Sequence, residues 1–114
     1  MRGTVSHLEV GTSTNKQSSH FFSQLFGWSF NRMGSGPEGW FETPSCKAGL
    51  HTNDPKPGFM VYFSVPNIEQ AVAQVKQLGG SAQDISPEEP SFGRFCNCQD
   101  PEGVPFGLHQ PPSA

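Results

Sequence analysis

The sequence predicts an α+β fold built from two βαβββ modules. Three observations support this prediction: the same order of elements occurs twice, each copy has one amphipathic helix that ends at glycine, and short extended runs follow each helix. The first module covers residues 1 to about 52 and the second about 58 to 110, with the turn-rich segment "HTNDPKPG" between them. At 114 residues the chain is too short for two independent cores, so we expect a single domain spanning 1–114.

The first module begins with the extended run "SHLEV". A helix is predicted from about Thr14 to Phe26, because apolar residues recur at helical spacing and Gly27 follows the last of them. Thr14 and Gln17 have the spacing of a capping box. Three short strands are expected after the helix, in the runs "WSFNRM", "GWFET" and "KAGLH".

The second module repeats this order, beginning with the strand "FMVYFSV". Its helix is predicted from about Asn67 to Leu78, with Asn67 and Gln70 in the capping arrangement and a glycine pair at its end. The strands that follow are expected in "SAQDI", "SFGRFCNC" and "VPFGLHQ". Gly103, at the fourth position of a turn that begins at Asp100, predicts the turn of the last hairpin.

Composition excludes several functional classes. A net charge of -3 with scattered Lys and Arg offers no basic stripe, so we expect no nucleic-acid partner. No apolar run approaches the roughly 20 residues that span a bilayer, and the start lacks a signal-peptide pattern, so we expect no membrane association and a cytoplasmic protein. Three cysteines do not suggest a disulfide framework, and Cys96 and Cys98 are expected to be reduced core residues.

Strand alternation predicts which side chains share a surface. One face of the sheet is apolar and meets the helices. The other face is polar and aromatic, a composition typical of a ligand pocket, although an ordinary solvated sheet face is the alternative. The residues predicted on this second face are His7, Glu9, Met60, Tyr62, Ser64, Phe95, Asn97 and His109.

The sequence resembles the vicinal oxygen chelate superfamily, which includes glyoxalase I, bleomycin-resistance proteins, fosfomycin-resistance enzymes and extradiol dioxygenases. The resemblance lies in "HLEVGTSTNKQSSHFFSQLFGWSF", in "VYFSVPNIEQAVAQVKQLGGS" and in "GRFCNCQDPEGVPFGLHQ" with its DPEG turn. It implies paired βαβββ modules that form a U-shaped, partly open mixed β-barrel with two helices outside. It also implies a ligand cavity lined by the polar face and a homodimer.

The resemblance also implies where a metal would bind. Matched by motif, the usual ligand positions fall on Val5, Met60 and Gly107, none of which offers the oxygen or imidazole donor that divalent ions require. We therefore expect no metal and no cofactor. A shifted site of His7, Glu9 and His109 is the alternative, in which case the protein would be a metal-dependent lyase, isomerase or dioxygenase-like enzyme.

We therefore expect a small-molecule-binding protein of the glyoxalase/bleomycin-resistance type, with catalysis left open. Tyr62, Phe95 and Trp28 are expected to give apolar contacts, although Trp28 could equally cap the core. His7, Glu9, Asn97 and His109 complete the predicted ligand-binding set, with His7 and Glu9 as a hydrogen-bonding pair. His51 opens the linker and is expected to be a surface residue.

Overall fold

The computed structural model describes residues 2–14 and 16–112, without the side chain of Lys16. These residues form eight strands and two helices, which confirms the α+β class. In chain order they are β1 (Val5–Gly11), α1 (Lys16–Phe26), β2 (Ser29–Arg32), β3 (Gly39–Glu42), β4 (Lys47–His51), β5 (Gly58–Ser64), α2 (Ile68–Gln77), β6 (Ser81–Ala82), β7 (Arg94–Gln99) and β8 (Pro105–Gln110). In the described part of the chain, neither helix is long and apolar enough to cross a membrane.

The chain divides into two compact units, and the first of them comprises residues 7–60. Its strands lie in the order β2-β3-β4-β1, with β1 and β4 parallel and the other neighbours antiparallel. The buried core consists of Val10, Phe41, Ala48 and Leu50, and the side chains packed around it are Leu8, Phe22, Trp28 and Phe30. Phe22 of α1 thus brings the helix onto one face of this sheet.

The second unit comprises residues 2–6 and 61–112. Its strands lie in the order β5-β8-β7-β6, with β5 parallel to β8. Its buried core contains Val65, Ile68, Val72, Cys96, Cys98 and Leu108. The predicted cap of α2 is confirmed, because the Asn67 side chain accepts a hydrogen bond from the Gln70 amide at 3.1 Å.

The first residues of the chain lie with the second unit. The Gly3 amide donates to the Ser64 carbonyl at 2.7 Å, and the Ser64 amide donates to the Thr4 carbonyl at 2.8 Å. Backbone hydrogen bonding along a strand edge, which sequence patterning does not reveal, therefore places residues 2–6.

The turn predicted before β8 is confirmed. The Gly103 amide donates to the Asp100 carbonyl at 3.0 Å, and the Asp100 side chain accepts from the amides of Glu102 and Val104 at 2.8 and 2.9 Å. Gly103 has φ = 85°, a left-handed conformation that glycine adopts without a side-chain clash.

Candidate functional site

Polar side chains of the 7–60 unit share the sheet face opposite α1. Alternate residues of β1 and β4, including Val10 and Leu50, enter the core, so the residues between them point the other way. The pairing register places Glu9 beside Gly49, and Trp40 lies on the other side of Gly49. We call this surface the first polar face; it consists of His7, Glu9, Trp40, Lys47, Gly49 and His51.

A chain of hydrogen bonds runs along one side of the first polar face. Glu9 Oε1 lies 3.4 Å from His7 Nε2, and Glu9 Oε2 lies 2.7 Å from His51 Nδ1. His51 Nε2 lies 2.8 Å from Asp54 Oδ2, and Asp54 Oδ1 accepts from the Lys56 amide at 2.8 Å. The order of contacts is therefore His7, Glu9, His51, Asp54, with His51 held between two carboxylates.

The surroundings of His51 favour its charged form. Burial is the largest single effect and lowers its pKa, but hydrogen bonds and charge attraction from Glu9 and Asp54 together outweigh burial, so the His51 pKa is raised. The Lys56 amide, followed by His51, lowers the pKa of Asp54. An imidazolium that donates to both carboxylates satisfies all three groups.

Gly49 gives the Glu9 carboxylate its position. A side chain at residue 49 would overlap the Glu9 carboxylate, so only glycine leaves room for it there. On the neighbouring strands, the Lys47 ammonium lies 4.9 Å from the centre of the Trp40 ring. Gly49 is thus flanked by a carboxylate and an indole, with an ammonium and an imidazole two residues away on its own strand.

The second unit has a corresponding surface opposite α2, which we call the second polar face; it consists of Tyr62, Phe95, Asn97, Gly107 and His109. The Tyr62 hydroxyl donates to Asn97 Oδ1 at 2.5 Å. The Phe95 ring stacks on His109 at a centroid distance of 4.7 Å and meets Tyr62 edge-on at 5.4 Å. The second polar face thus has a cluster of aromatic rings where the first polar face has a series of hydrogen-bonded histidines and carboxylates.

His109 is held in one tautomer by its neighbours. Its Nε2 lies 2.6 Å from the Phe92 carbonyl, which only accepts, so Nε2 carries the hydrogen. In the neutral ring Nδ1 is then an acceptor, and it receives the Ser6 hydroxyl at 2.6 Å. Both ring nitrogens of this buried histidine are therefore occupied.

The strand register shows which residues of the two units correspond, because each unit contains one parallel pair of strands: β1 with β4 in the first and β5 with β8 in the second. Glu9 pairs with Gly49 as Tyr62 pairs with Gly107, and in both pairs the first side chain covers the glycine. Two residues before Glu9 lies His7, and two residues before Tyr62 lies Met60. His7 rather than Val5 is therefore the first-strand counterpart of Met60.

The residues present do not fit the divalent ion that the resemblance implies for metal-using members. Met60 and Gly107 offer no oxygen or nitrogen side-chain donor. In the shifted set, both Glu9 oxygens face histidines and both His109 nitrogens are engaged within the second unit. Among the described residues, no group of three or more His, Cys, Asp or Glu side chains is arranged to hold an ion.

Most of the predicted binding residues lie on these two faces, but Trp28 does not. Trp28 lies in the aromatic cluster beside α1, with ring centroids 4.9 Å from Phe26 and 5.6 Å from Phe41. Trp28 therefore caps the core. Phe30, two residues later in the sequence, packs against the same core, as expected when alternate residues point to the same side. The tryptophan on the first polar face is Trp40, which sequence reasoning missed.

Sequence reasoning also missed the contacts of His51 with Glu9 and Asp54. His51 is predicted to be a surface residue, and its side chain is 38% exposed; the sequence does not predict the hydrogen bond that joins it to Glu9. The three-residue spacing in "HTND" was the available signal, since a turn brings such residues together. Cys96 and Cys98 are buried as predicted, and burial raises the pKa of the Cys98 thiol to about 12.

Comparison with known proteins gives structural matches only. No family model matches the sequence, and no curated protein matches it. A hypothetical protein from Bacillus halodurans C-125 has a TM-score of 0.75 at 13% identity, over 98% of this chain and 96% of that one. Methylmalonyl-CoA epimerase from Mycobacterium tuberculosis has a TM-score of 0.73 at 12% identity, over 96% of this chain and 89% of that one.

A Streptomyces coelicolor methylmalonyl-CoA epimerase variant, solved in complex with 2-nitronate-propionyl-CoA, has a TM-score of 0.73 at 13% identity and covers 99% of this chain and 100% of that one. Matches over nearly the whole of both chains show a common arrangement of elements, and identities this low show the fold alone. The predicted fold is confirmed at that level: this chain has the fold of these solved structures, methylmalonyl-CoA epimerase among them.

Proposed function

We propose that this protein binds a small organic molecule without a resident metal ion, as a binding protein of the glyoxalase/bleomycin-resistance type. The first polar face is the observation that supports this proposal most directly. It gathers a carboxylate, an imidazole, an ammonium and an indole around one glycine; hydrogen bonds join His51 to Glu9 and Asp54, and the Lys47 ammonium lies over the Trp40 ring. Partial burial of such groups costs free energy that an apolar face would not, so their presence favours binding over a purely structural role.

The proposed roles follow from the chemistry of each group. Glu9 and His51 orient a polar group of the ligand, while Trp40 takes the place of Trp28 in giving apolar contact. On the second polar face, Tyr62 and Phe95 give aromatic contact and Asn97 gives a hydrogen bond. His7 and His109 hold these groups in place through Glu9 and through the stack on Phe95. Solved structures of the same fold contain acyl-CoA ligands, which supports small-molecule binding.

Native mass spectrometry of the freshly purified chain tests the proposal. We expect a retained small molecule that is lost on collisional activation, and no bound metal. Glu9→Gln and Trp40→Leu should abolish retention, whereas Glu102→Gln, in the exposed turn before β8, should leave it unchanged. Two results together would count against a binding function. The first is a measured mass equal to that of the chain alone, and the second is an unchanged melting temperature when carboxylates, amines and acyl-CoA thioesters are added.

We also propose a homodimer, which the same spectra would report. Helix α1 leaves Phe21, Leu25 and Phe26 each more than half exposed, and contact with a second copy would remove that apolar surface from water. The proposal would be contradicted if the native mass were that of one chain and if the protein also sedimented as a monomer at micromolar concentration. No contact described above favours the metal-dependent alternative.

A further inference from the structure

A groove of about 300 Å³ lies between the end of β1 and the start of α1. It is separate from the first polar face, because Val10 and Phe22 line it and both belong to the α1 side of the sheet. Its apolar wall consists of Val10, Phe22, Pro57 and Phe59, and its polar wall of Thr12, Ser13, Thr14, Gln17 and Ser18. The volume is at the small end of known ligand pockets.

Thr12 places an unpaired hydroxyl at this groove. Its amide donates to the His51 carbonyl at 2.9 Å and its carbonyl accepts from the Asp54 amide at 3.0 Å, so the backbone is fixed. Thr12 lines the groove together with Val10, two residues before it in the sequence. The residue is 6% exposed, and among the described residues its Oγ1 has no hydrogen-bond partner. A buried hydroxyl without a partner is unfavourable, so a group bound from outside would stabilise it.

The start of α1 makes the same groove attractive to negative charge. The first N–H groups of a helix have no partner within the helix and carry partial positive charge. Gln17 and Ser18 bring this end of the helix to the groove, and the first turn contains no acidic residue. Asp54 is the nearby carboxylate, but it faces His51 and the Lys56 amide and does not line the groove.

We propose that this groove binds a carboxylate that carries a small apolar group. The carboxylate oxygens accept from the Thr12 hydroxyl and from the first amides of α1, and the apolar group lies against Val10, Phe22 and Phe59. Hydroxyl and amide donors on one wall and aromatic carbon on the other match an amphipathic anion better than an inorganic ion. This site is distinct from the polar face on which the proposed function rests.

Titration of the full chain with benzoate, followed by amide chemical shifts, tests the proposal, with benzamide as the neutral control. We expect saturable benzoate shifts at Gly11, Thr12, Gln17 and Ser18, and much weaker effects of benzamide. Thr12→Val should weaken benzoate binding about tenfold, the effect of losing one hydrogen bond to a charged group. It should not lower the melting temperature, because the variant removes an unpaired hydroxyl.

A second pair of variants distinguishes the effect of charge on benzoate binding from an effect on folding. Gln17→Glu puts a carboxylate at the groove and should weaken benzoate binding several-fold while favouring the helix. Gln24→Glu, on the same helix but outside the groove, should leave binding unchanged. Equal binding of benzoate and benzamide, shifts that do not saturate, or undiminished binding by Thr12→Val would each overturn the proposal. An equal loss in Glu9→Gln would place the probe on the first polar face and would also overturn it.

Discussion

At the scale of single residues, His51 is the group whose protonation the structure constrains most clearly. A histidine between two carboxylates needs both ring hydrogens to donate to both, so its charged form is the one that completes the network. The raised pKa of His51 and the lowered pKa of Asp54 describe the same attraction from its two sides.

We predict that this network makes stability depend on pH. Since the pKa of His51 in the folded state is raised above 6.5, its contribution is full below 6.5 and is lost as pH rises through the raised value. Since the pKa of Asp54 is lowered below 3.8, its contribution is full above 3.8 and is lost as pH falls through the lowered value. Urea unfolding should therefore show His51→Gln less stable than wild type at pH 5.5, with the gap narrowing by pH 8.5.

The gap should be on the order of 0.5–1 kcal/mol, because His51 is partly exposed and solvent weakens the attraction. His20→Gln, an exposed histidine on α1, is the control and should keep the pH dependence of wild type. A gap that stays constant between the two pH values would show that folding does not shift the pKa of His51.

The glycines under Glu9 and Tyr62 should differ in their tolerance of a methyl group. Gly107→Ala pushes a side chain into the Tyr62 ring, which cannot move without disturbing the aromatic cluster, so we expect a loss of about 1–3 kcal/mol in the free energy of unfolding. A methyl group in Gly49→Ala meets only the far end of the Glu9 side chain, which can rotate away at the cost of its hydrogen bonds, so the loss should be smaller. The displaced carboxylate should, however, lower the pKa of His51 measured by NMR titration.

Gly36→Ala is the matched control for both variants, because a methyl group there meets nothing within 4 Å. Its stability should stay within about 0.5 kcal/mol of wild type. If Gly107→Ala were as stable as Gly36→Ala, the close contact between Tyr62 and Gly107 would be excluded.

At the scale of the elements, α2 shows how a local signal becomes a stable helix. Asn67 caps its first turn, Ile68 is fully buried in the core, and the Ile68 amide donates to Gln110 Oε1 at 2.9 Å. The cap orients the chain at the point where the apolar face of the helix meets the sheet.

Removal of this cap should be measurable. We expect Asn67→Ala to lower the free energy of unfolding by about 1 kcal/mol, because the Gln70 amide loses its acceptor. Asn67→Asp keeps a side-chain oxygen at the cap and should retain most of the stability. Chemical denaturation of the two variants against wild type gives the measurement, and an equal loss in both would show that the side-chain oxygen does not matter.

At the scale of the whole molecule, the chain has the fold of structures with which it shares only 12–13% of its residues. Such conservation of fold without sequence is possible because the apolar pattern of strands and helices, rather than particular side chains, fills a core. The chemistry of the polar faces is therefore free to differ between chains that share this fold.

We predict that the isolated protein contains no stoichiometric divalent metal. Treatment with a chelator should change the melting temperature by less than about 1 °C, since removal of a tightly bound ion would remove binding free energy from the native state. Added zinc should stabilise equally little. Elemental analysis that finds about one metal per chain, lost in His7→Ala or His109→Ala, would contradict this prediction and support the enzymatic alternative.

The sequence by itself determined the order of elements and the orientation of side chains within each strand. Alternation placed His7 and Glu9 opposite Val10, and Asn97 opposite Cys96, because successive residues of a strand point to opposite sides. The helix α2 and the turn at Gly103 were also predicted, since capping and turn chemistry are local. The predicted cap of α1, Thr14 with Gln17, spans position 15, which lies outside the described residues.

Only the tertiary structure decided which strands are neighbours and therefore which polar groups meet. The parallel pairing of β1 with β4 brings Glu9 to His51, a contact across 42 residues of sequence that no local pattern encodes. The same pairing sets Gly49 beneath Glu9, and the pairing of β3 with β4 puts Trp40 rather than Trp28 on the first polar face. Pairing depends on how all the strands satisfy their backbone hydrogen bonds together, so the composition of a site shared by several strands is a property of the folded chain.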